Sequence, residues 1–330
     1  MAVIGYHASH EQFAPSELLD LVGQAEAAGF AAAMSSDHLA PWGERQGQSG
    51  FAWSWLGAAM QATRLPFGVV TTPIGLRYHP LLVAQAAATL AQMYPGRLAV
   101  ILGSGEALNE RPFGAGWPGK QERTARLEEG VGIIQALLDG QEVTSSGFHK
   151  LEAARLYSLP DQAPALFAAA LTPETARRAG AWAAGLATIN MPRDRLRAVI
   201  DAFRDAAGEA RPVHVQVHLS YAASQAEAER NAVEQWRTNA LPGSVAAELC
   251  SPAMFDAATR HMGVKDLASS VLISSDPSRH GEWLHQMAAL GVERLLLHNV
   301  GRNQRAFIDT FGRQVLPQLQ SDPGQAAAPA

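Results

Sequence analysis

Short apolar runs alternate along the chain with longer stretches that carry their apolar residues on one stripe. The runs Val3–Tyr6, Phe30–Met34, Pro66–Val70, Leu98–Leu102, Ala165–Ala169, Gly185–Ile189, Val213–Leu219 and Arg294–His298 predict β-strands. Helices are predicted from the Ser16 N-cap to about Ala28, with Gly29 as the stop, then over Trp53–Thr63, Leu81–Met93 and Glu122–Leu138. Further helices are predicted over Pro173–Ala181, Arg193–Ala207, Gln225–Thr238, Arg279–Leu290 and Arg305–Leu316. Strands that alternate with helices imply a parallel sheet, and eight such units fit a closed (β/α)8 TIM barrel better than an open sheet. No glycine-rich dinucleotide fingerprint follows the first strand, which also counts against an open sheet. Asp139–Pro164 and Asn239–Ser269 read as insertions, and the run Val271–Ile273 has no assigned place. One domain is expected over residues 1–320, with Ser321–Ala330 as a flexible tail.

Composition narrows the classes. Of 330 residues, 47% are apolar and 17% charged, enough for a substantial core. The net charge of −5 offers no footprint for nucleic acid or an anionic membrane. A single cysteine, Cys250, excludes an intramolecular disulfide and a multi-thiolate zinc site, and it fits a reducing compartment. Met-Ala-Val-Ile-Gly-Tyr runs directly into the first strand, without a basic or long apolar leader, and no segment has about 18 uninterrupted apolar residues. The expectation is a cytoplasmic protein with no membrane or nucleic-acid partner.

Chemistry-bearing residues gather where predicted strands open into loops, which is the catalytic end of a parallel barrel. Asp37 and His38 follow the second strand, with Trp42 close behind as an aromatic wall. Glu106 lies in Gly103-Ser104-Gly105-Glu106, whose small neighbours permit close approach, and Asn109 and Glu110 follow it. Thr72, extended before Pro73, closes the third strand. His214, Gln216 and His218 alternate with valines, so they share one face, which should look into the barrel. Two inward histidines raise a metal site, but no His-x-His follows the first strand, and a hydrogen-bonded polar core is the expectation. His298 and Asn299 end the last strand, and Thr172-Pro173 opens a helix with free backbone amides. On residue types alone, a cofactor-free or metal-dependent hydrolase or isomerase using Glu106, His38, His214 and His218 stays open, as does a non-catalytic flavin-binding protein.

Five stretches, in order over nearly the whole chain, carry a resemblance. They are Gly5-Tyr6-His7-Ala8-Ser9-His10-Glu11-Gln12-Phe13-Ala14-Pro15, Ser36-Asp37-His38 with Pro41-Trp42, Thr72-Pro73 with Arg77-Tyr78, Gly105-Glu106-Ala107-Leu108-Asn109-Glu110, and Asn303-Gln304-Arg305. Together they resemble the luciferase-like family of flavin- and deazaflavin-dependent oxidoreductases and monooxygenases, most closely its deazaflavin-dependent glucose-6-phosphate dehydrogenase branch. The resemblance implies a TIM barrel with insertions, usually a homodimer, a small-molecule substrate, a flavin reductase as partner where FMN is used, and a flat ring in the mouth. It implies His38, Glu106 and Trp42 as catalytic residues. Asp37, Val69, Val70, Thr72, Asn109, Ala170, Leu171 and Thr172 would form the cofactor site, and Glu11 and His298 the substrate side. Val69-Val70 stands where the family often has a non-proline cis peptide. Where the sugar-phosphate dehydrogenases carry a lysine and an arginine, this chain has Met191 and Ser270, so glucose 6-phosphate is not the expected substrate. Ala170-Leu171-Thr172-Pro173 replaces a Gly-Gly start, which leaves FMN or coenzyme F420, with FMN slightly preferred.

Overall fold

A computed structural model describes residues 2–320, so the expected flexible tail lies outside the described residues. Eleven strands are formed among them: β1 (Val3–Ala8), β2 (Ala32–Ser36), β3 (Phe67–Thr71), β4 (Leu98–Leu102), β5 (Val143–Ser146), β6 (Lys150–Ala154), β7 (Ala165–Ala169), β8 (Gly185–Ile189), β9 (Val213–Ser220), β10 (Leu272–Ile273) and β11 (Arg294–Asn299). Eight of them close a parallel barrel in the order β1-β2-β3-β4-β7-β8-β9-β11, with β11 pairing back to β1. The fold is the expected (β/α)8 barrel.

Period-two alternation divides the strands into two faces. Val213, Val215 and Val217 of β9 and Leu295 and Leu297 of β11 point outward to the helices, each almost fully buried. Such burial contributes roughly 1.5–3 kcal/mol per side chain. The other face fills the barrel with Ala32, Met34, Ala99, Ile101, Phe167, Ala187 and Leu296. His214, Gln216 and His218 share this inner face, as the sequence predicts, and the His214 ring stacks on Phe167 with centroids 4.4 Å apart.

Some boundaries differ for identifiable reasons. Phe30 is buried, but its N–H donates to the Ala25 carbonyl as the end of the preceding helix, so β2 begins at Ala32, paired with Gly5. This shift places Asp37 and His38 directly past the strand end. The first helix runs Pro15–Ala27 with Ala14 as its cap, because Pro15 suits the first helical position. Val271–Ile273 finds its place as β10, a short strand that pairs only with β9 and forks away from the barrel. The first insertion holds the antiparallel β5–β6 hairpin. The second holds the short helices Gly243–Ala246, Pro252–Thr259 and Val264–Leu267 and reaches the barrel mouth. Among the described residues no helix is long and apolar enough to cross a membrane.

Candidate active site

The loop after β2 is anchored before it reaches His38. The Asp37 N–H donates to the Val70 carbonyl at 2.9 Å, continuing the β2–β3 pairing by one residue. The Asp37 carboxylate then accepts from Arg77 Nη2 at 3.0 Å and from Thr71 Oγ1 at 3.2 Å, while Arg77 Nη1 donates to the Asp37 carbonyl at 2.7 Å. Expected as a cofactor contact, this carboxylate is committed to an internal ion pair.

His38, released beyond that anchor, meets three polar side chains. Its Nε2 faces Glu11 Oε1 at 3.5 Å, and Glu11 Oε2 accepts from Ser9 Oγ at 2.8 Å. Its Nδ1 lies 3.2 Å from Asn109 Nδ2, and the same amide nitrogen is 3.4 Å from Glu106 Oε2. Asn109 Oδ1 accepts from the Leu39 N–H at 2.9 Å. The structure thus brings Glu11, His38, Glu106 and Asn109, from the loops after β1, β2 and β4, into one cluster. Burial pushes the Glu106 carboxyl above its ordinary range, partly offset by His38 and the Asn109 hydrogen bond. A carboxyl raised in this way holds its proton more readily than an exposed one, which suits proton exchange.

Glycine makes the Glu106 loop possible. Gly105 has φ +74°, and a Cβ there would lie 2.8 Å from Thr72 Cγ2. Thr72 therefore packs against the Glu106 loop, and the buried Glu110 accepts the Arg77 N–H at 2.8 Å. Burial raises the Glu110 carboxyl to about 7.

Trp42 closes one side. Its ring lies 4.9 Å from His38 and meets the buried Phe255 edge-on at 5.3 Å. Phe255 comes from the second insertion, which is fastened over the mouth at several points. Ala107 N–H donates to the Ala247 carbonyl at 3.0 Å, Glu44 N–H to Asp256 Oδ2 at 2.9 Å, and Arg237 to Asp256 Oδ1 at 3.1 Å.

Below the cluster the barrel's upper end is two-sided. Val70, Gly103, Ala169 and Ile189 stand on the inward register and remain half-buried, whereas Ile101, Phe167 and Leu296 beneath them are closed off. These residues line the upper end of the barrel, where a Cβ on Gly103 would lie 3.5 Å from Ala169 Cβ. Opposite lies a buried histidine quadrant. The His7 and His298 rings are 4.7 Å apart, His218 and His298 are 5.6 Å apart, and Trp236 lies edge-on to His298 at 4.4 Å. His298 Nε2 donates to Gln12 Oε1 at 2.9 Å, because Gln12 spends its amide nitrogen on the Val300 carbonyl. Burial lowers His7 and His298 well below the usual range and His218 to about 4, so this quadrant is neutral.

Comparison with known proteins decides what this mouth is related to. The model of the family described as luciferase-like monooxygenase matches residues 1–302. The chain belongs to that family. Among curated relatives, the F420-dependent glucose-6-phosphate dehydrogenase of Nakamurella multipartita is 34% identical, over 97% of this chain and 97% of that protein. The enzyme of the same name from Mycobacterium tuberculosis is 32% identical over 96% of this chain and 98% of that protein. Among solved structures, an F420-dependent secondary alcohol dehydrogenase in complex with an F420–acetone adduct superimposes with TM-score 0.91 at 29% identity, covering 97% of this chain and 100% of that one.

One expectation drawn from the luciferase-like family does not hold. No peptide bond among the described residues is cis, so the cis bond expected at Val69-Val70 is absent. The reason is local: Val69 and Val70 keep unbroken parallel pairing to Ser35 and Ser36 on one side and to Val100 and Ile101 on the other. Val69 faces outward into the helix layer, and only Val70 turns inward. Ala170 is buried, Leu171 is exposed, and Thr172 caps its helix by accepting the Thr175 N–H at 3.3 Å. These three follow β7 directly, at the strand-end face of the barrel. Arg77, Glu110 and Ser9 are members that the sequence reading did not assign. Arg77 and Glu110 stood inside quoted motifs, but nothing local in the sequence shows that they meet.

Proposed function

We propose that the protein is an F420-dependent oxidoreductase that transfers hydride between a small uncharged alcohol, or its ketone, and the deazaflavin. The observation that carries this reading is the His38–Asn109–Glu106 cluster, walled by Trp42 at the strand-end mouth of the barrel. Relatives at 29–34% identity bear F420 in their names, which favours the deazaflavin over FMN. When bound, the cofactor supplies the carbon that accepts or returns the hydride. The chain does the rest. Val70, Gly103 and Ala169 would receive the ring, Glu106 and His38 handle the proton on the substrate oxygen, and Trp42 with Phe255 behind it excludes water.

The relatives' names offer two substrates, a sugar phosphate and a secondary alcohol. The residues favour the uncharged one. Met191 packs its side chain against the apolar core, and Ser270 spends its hydroxyl on the Leu267 carbonyl. Three arginines near the mouth are paired within the protein: Arg77 with Asp37, Arg237 with Asp256, and Arg123 with the Pro118 carbonyl, Glu248 and the Trp117 face. A phosphate beside Met191 and Ser270 lacks the charge-assisted contacts that make its binding strong.

Titration with coenzyme F420 and with FMN, followed by turnover with propan-2-ol and with glucose 6-phosphate, tests the reading. F420 binding and propan-2-ol oxidation are expected. Preference for FMN overturns the cofactor assignment, and efficient glucose 6-phosphate turnover overturns the substrate class. Failure of both cofactors to bind below about 1 mM, the upper end of ordinary KM values, returns a hydrolase or isomerase to the front.

A further inference from the structure

A histidine that handles protons must present either a proton or a lone pair to its substrate, and the neutral ring has one of each. Which nitrogen carries the proton is decided by the partner of the other one. For His38 that partner is Asn109, whose own orientation is unambiguous. The Leu39 backbone N–H can only donate, and it donates to the Asn109 side chain at 2.9 Å, so the atom it meets is the carboxamide oxygen. The amide nitrogen therefore faces the other way, 3.2 Å from His38 Nδ1 and 3.4 Å from Glu106 Oε2. It has two hydrogens and no acceptor capacity. One hydrogen meets His38 and the other meets Glu106.

From this geometry we infer that Asn109 is a positioning residue that holds neutral His38 as the Nε2–H tautomer. The Nδ1 lone pair accepts from Asn109, and the ring proton sits on the edge that faces Glu11. His38 is then a hydrogen-bond donor, not the base. Glu106, which accepts the second Asn109 hydrogen and is half-buried at the mouth, is left to take the substrate proton. In alcohol oxidation Glu106 would take the O–H proton and the deazaflavin, when bound, would supply the acceptor for the C–H hydride, which leaves the C–O bond as the carbonyl. The division of labour rests on the proposed oxidoreductase reading, but the tautomer does not.

Nitrogen NMR of protein with isotope-labelled histidine reads the tautomer without cofactor or substrate. The His38 signal among the 11 histidines is assigned by its loss in His38→Gln. The wild-type protein is expected to show Nε2–H at His38. In Asn109→Asp the carboxylate can still accept the Leu39 N–H but offers Nδ1 only an acceptor, so the proton is expected to move to Nδ1. Turnover should then fall about 100-fold, the lower range for loss of one positioned hydrogen-bond donor, with cofactor affinity retained. An Nδ1–H signal in the wild type, or an unchanged tautomer in folded Asn109→Asp, overturns the inference. If the tautomer behaves as stated while neither propan-2-ol nor glucose 6-phosphate is oxidised with F420, the proposed function fails and the role of Asn109 stands.

Discussion

Arg77 and Asp37 form an ion pair at 3.0 Å in which both side chains are nearly excluded from solvent. It ties the loop after β3 to the loop after β2, one residue before His38. Removing one partner of such a pair strands the other charge, at a cost of about 3–5 kcal/mol. Arg77→Ala should lose that much in urea unfolding and should lower turnover by displacing His38. A loss below about 1 kcal/mol, the value of an exposed pair, would show that the pair does not hold the loop.

Glu110 makes stability depend on pH in an unusual direction. Burial raises its carboxyl to about 7 from the ordinary 4.5, so the folded protein binds this proton more tightly than the unfolded chain does. The stabilisation is complete below the unfolded value and is lost as pH rises from about 4.5 through 7. The loss is roughly 3 kcal/mol. Glu110→Gln, which can still accept the Arg77 N–H, should flatten this limb of the stability curve measured by urea midpoints.

Buried histidines act oppositely. His218 and His280 are lowered to about 4 and His214 to about 3, chiefly by burial. Their neutral forms belong to the folded state, so stability is full above about 6.5 and falls as pH drops toward those values. Together they should cost on the order of several kcal/mol by pH 4, outweighing the gain from Glu110. His280→Gln keeps a donor for the Ser274 carbonyl and should reduce the acid loss without touching the mouth. An acid limb of the same steepness in that variant would contradict the assignment.

Gly105→Ala tests the support of Glu106. The positive φ and the 2.8 Å approach to Thr72 both oppose a side chain. Strain of about 1–2 kcal/mol is expected, with a fall in kcat larger than any change in cofactor affinity because the Glu106 loop must shift. Equal activity in the variant would mean that Glu106 tolerates displacement and is not placed for chemistry.

Much of this molecule was legible in the chain. Inward and outward residues of β9 could be assigned because a strand alternates whatever surrounds it, and the valines of Val213–Leu219 marked the buried outer face. The blocks around Asp37-His38 and Gly105-Glu106 could be placed at one end of the barrel because each directly follows a strand, and parallel strands open on the same side. What the chain did not reveal was who meets whom across the mouth. Asn109 and His38 are 71 positions apart and Arg77 and Asp37 are 40 apart. Such contacts exist only once the barrel has closed and fixed the register of neighbouring strands. The same closure keeps Val69-Val70 in regular pairing, gives Leu272–Ile273 a strand to pair with, and lays the second insertion over Trp42. Local pattern therefore determined the barrel and its reactive end, because periodicity and strand-end position are properties of neighbouring residues. Only the tertiary structure decided which nitrogen of His38 Asn109 faces, because a hydrogen bond between loops depends on where two distant backbones come to rest.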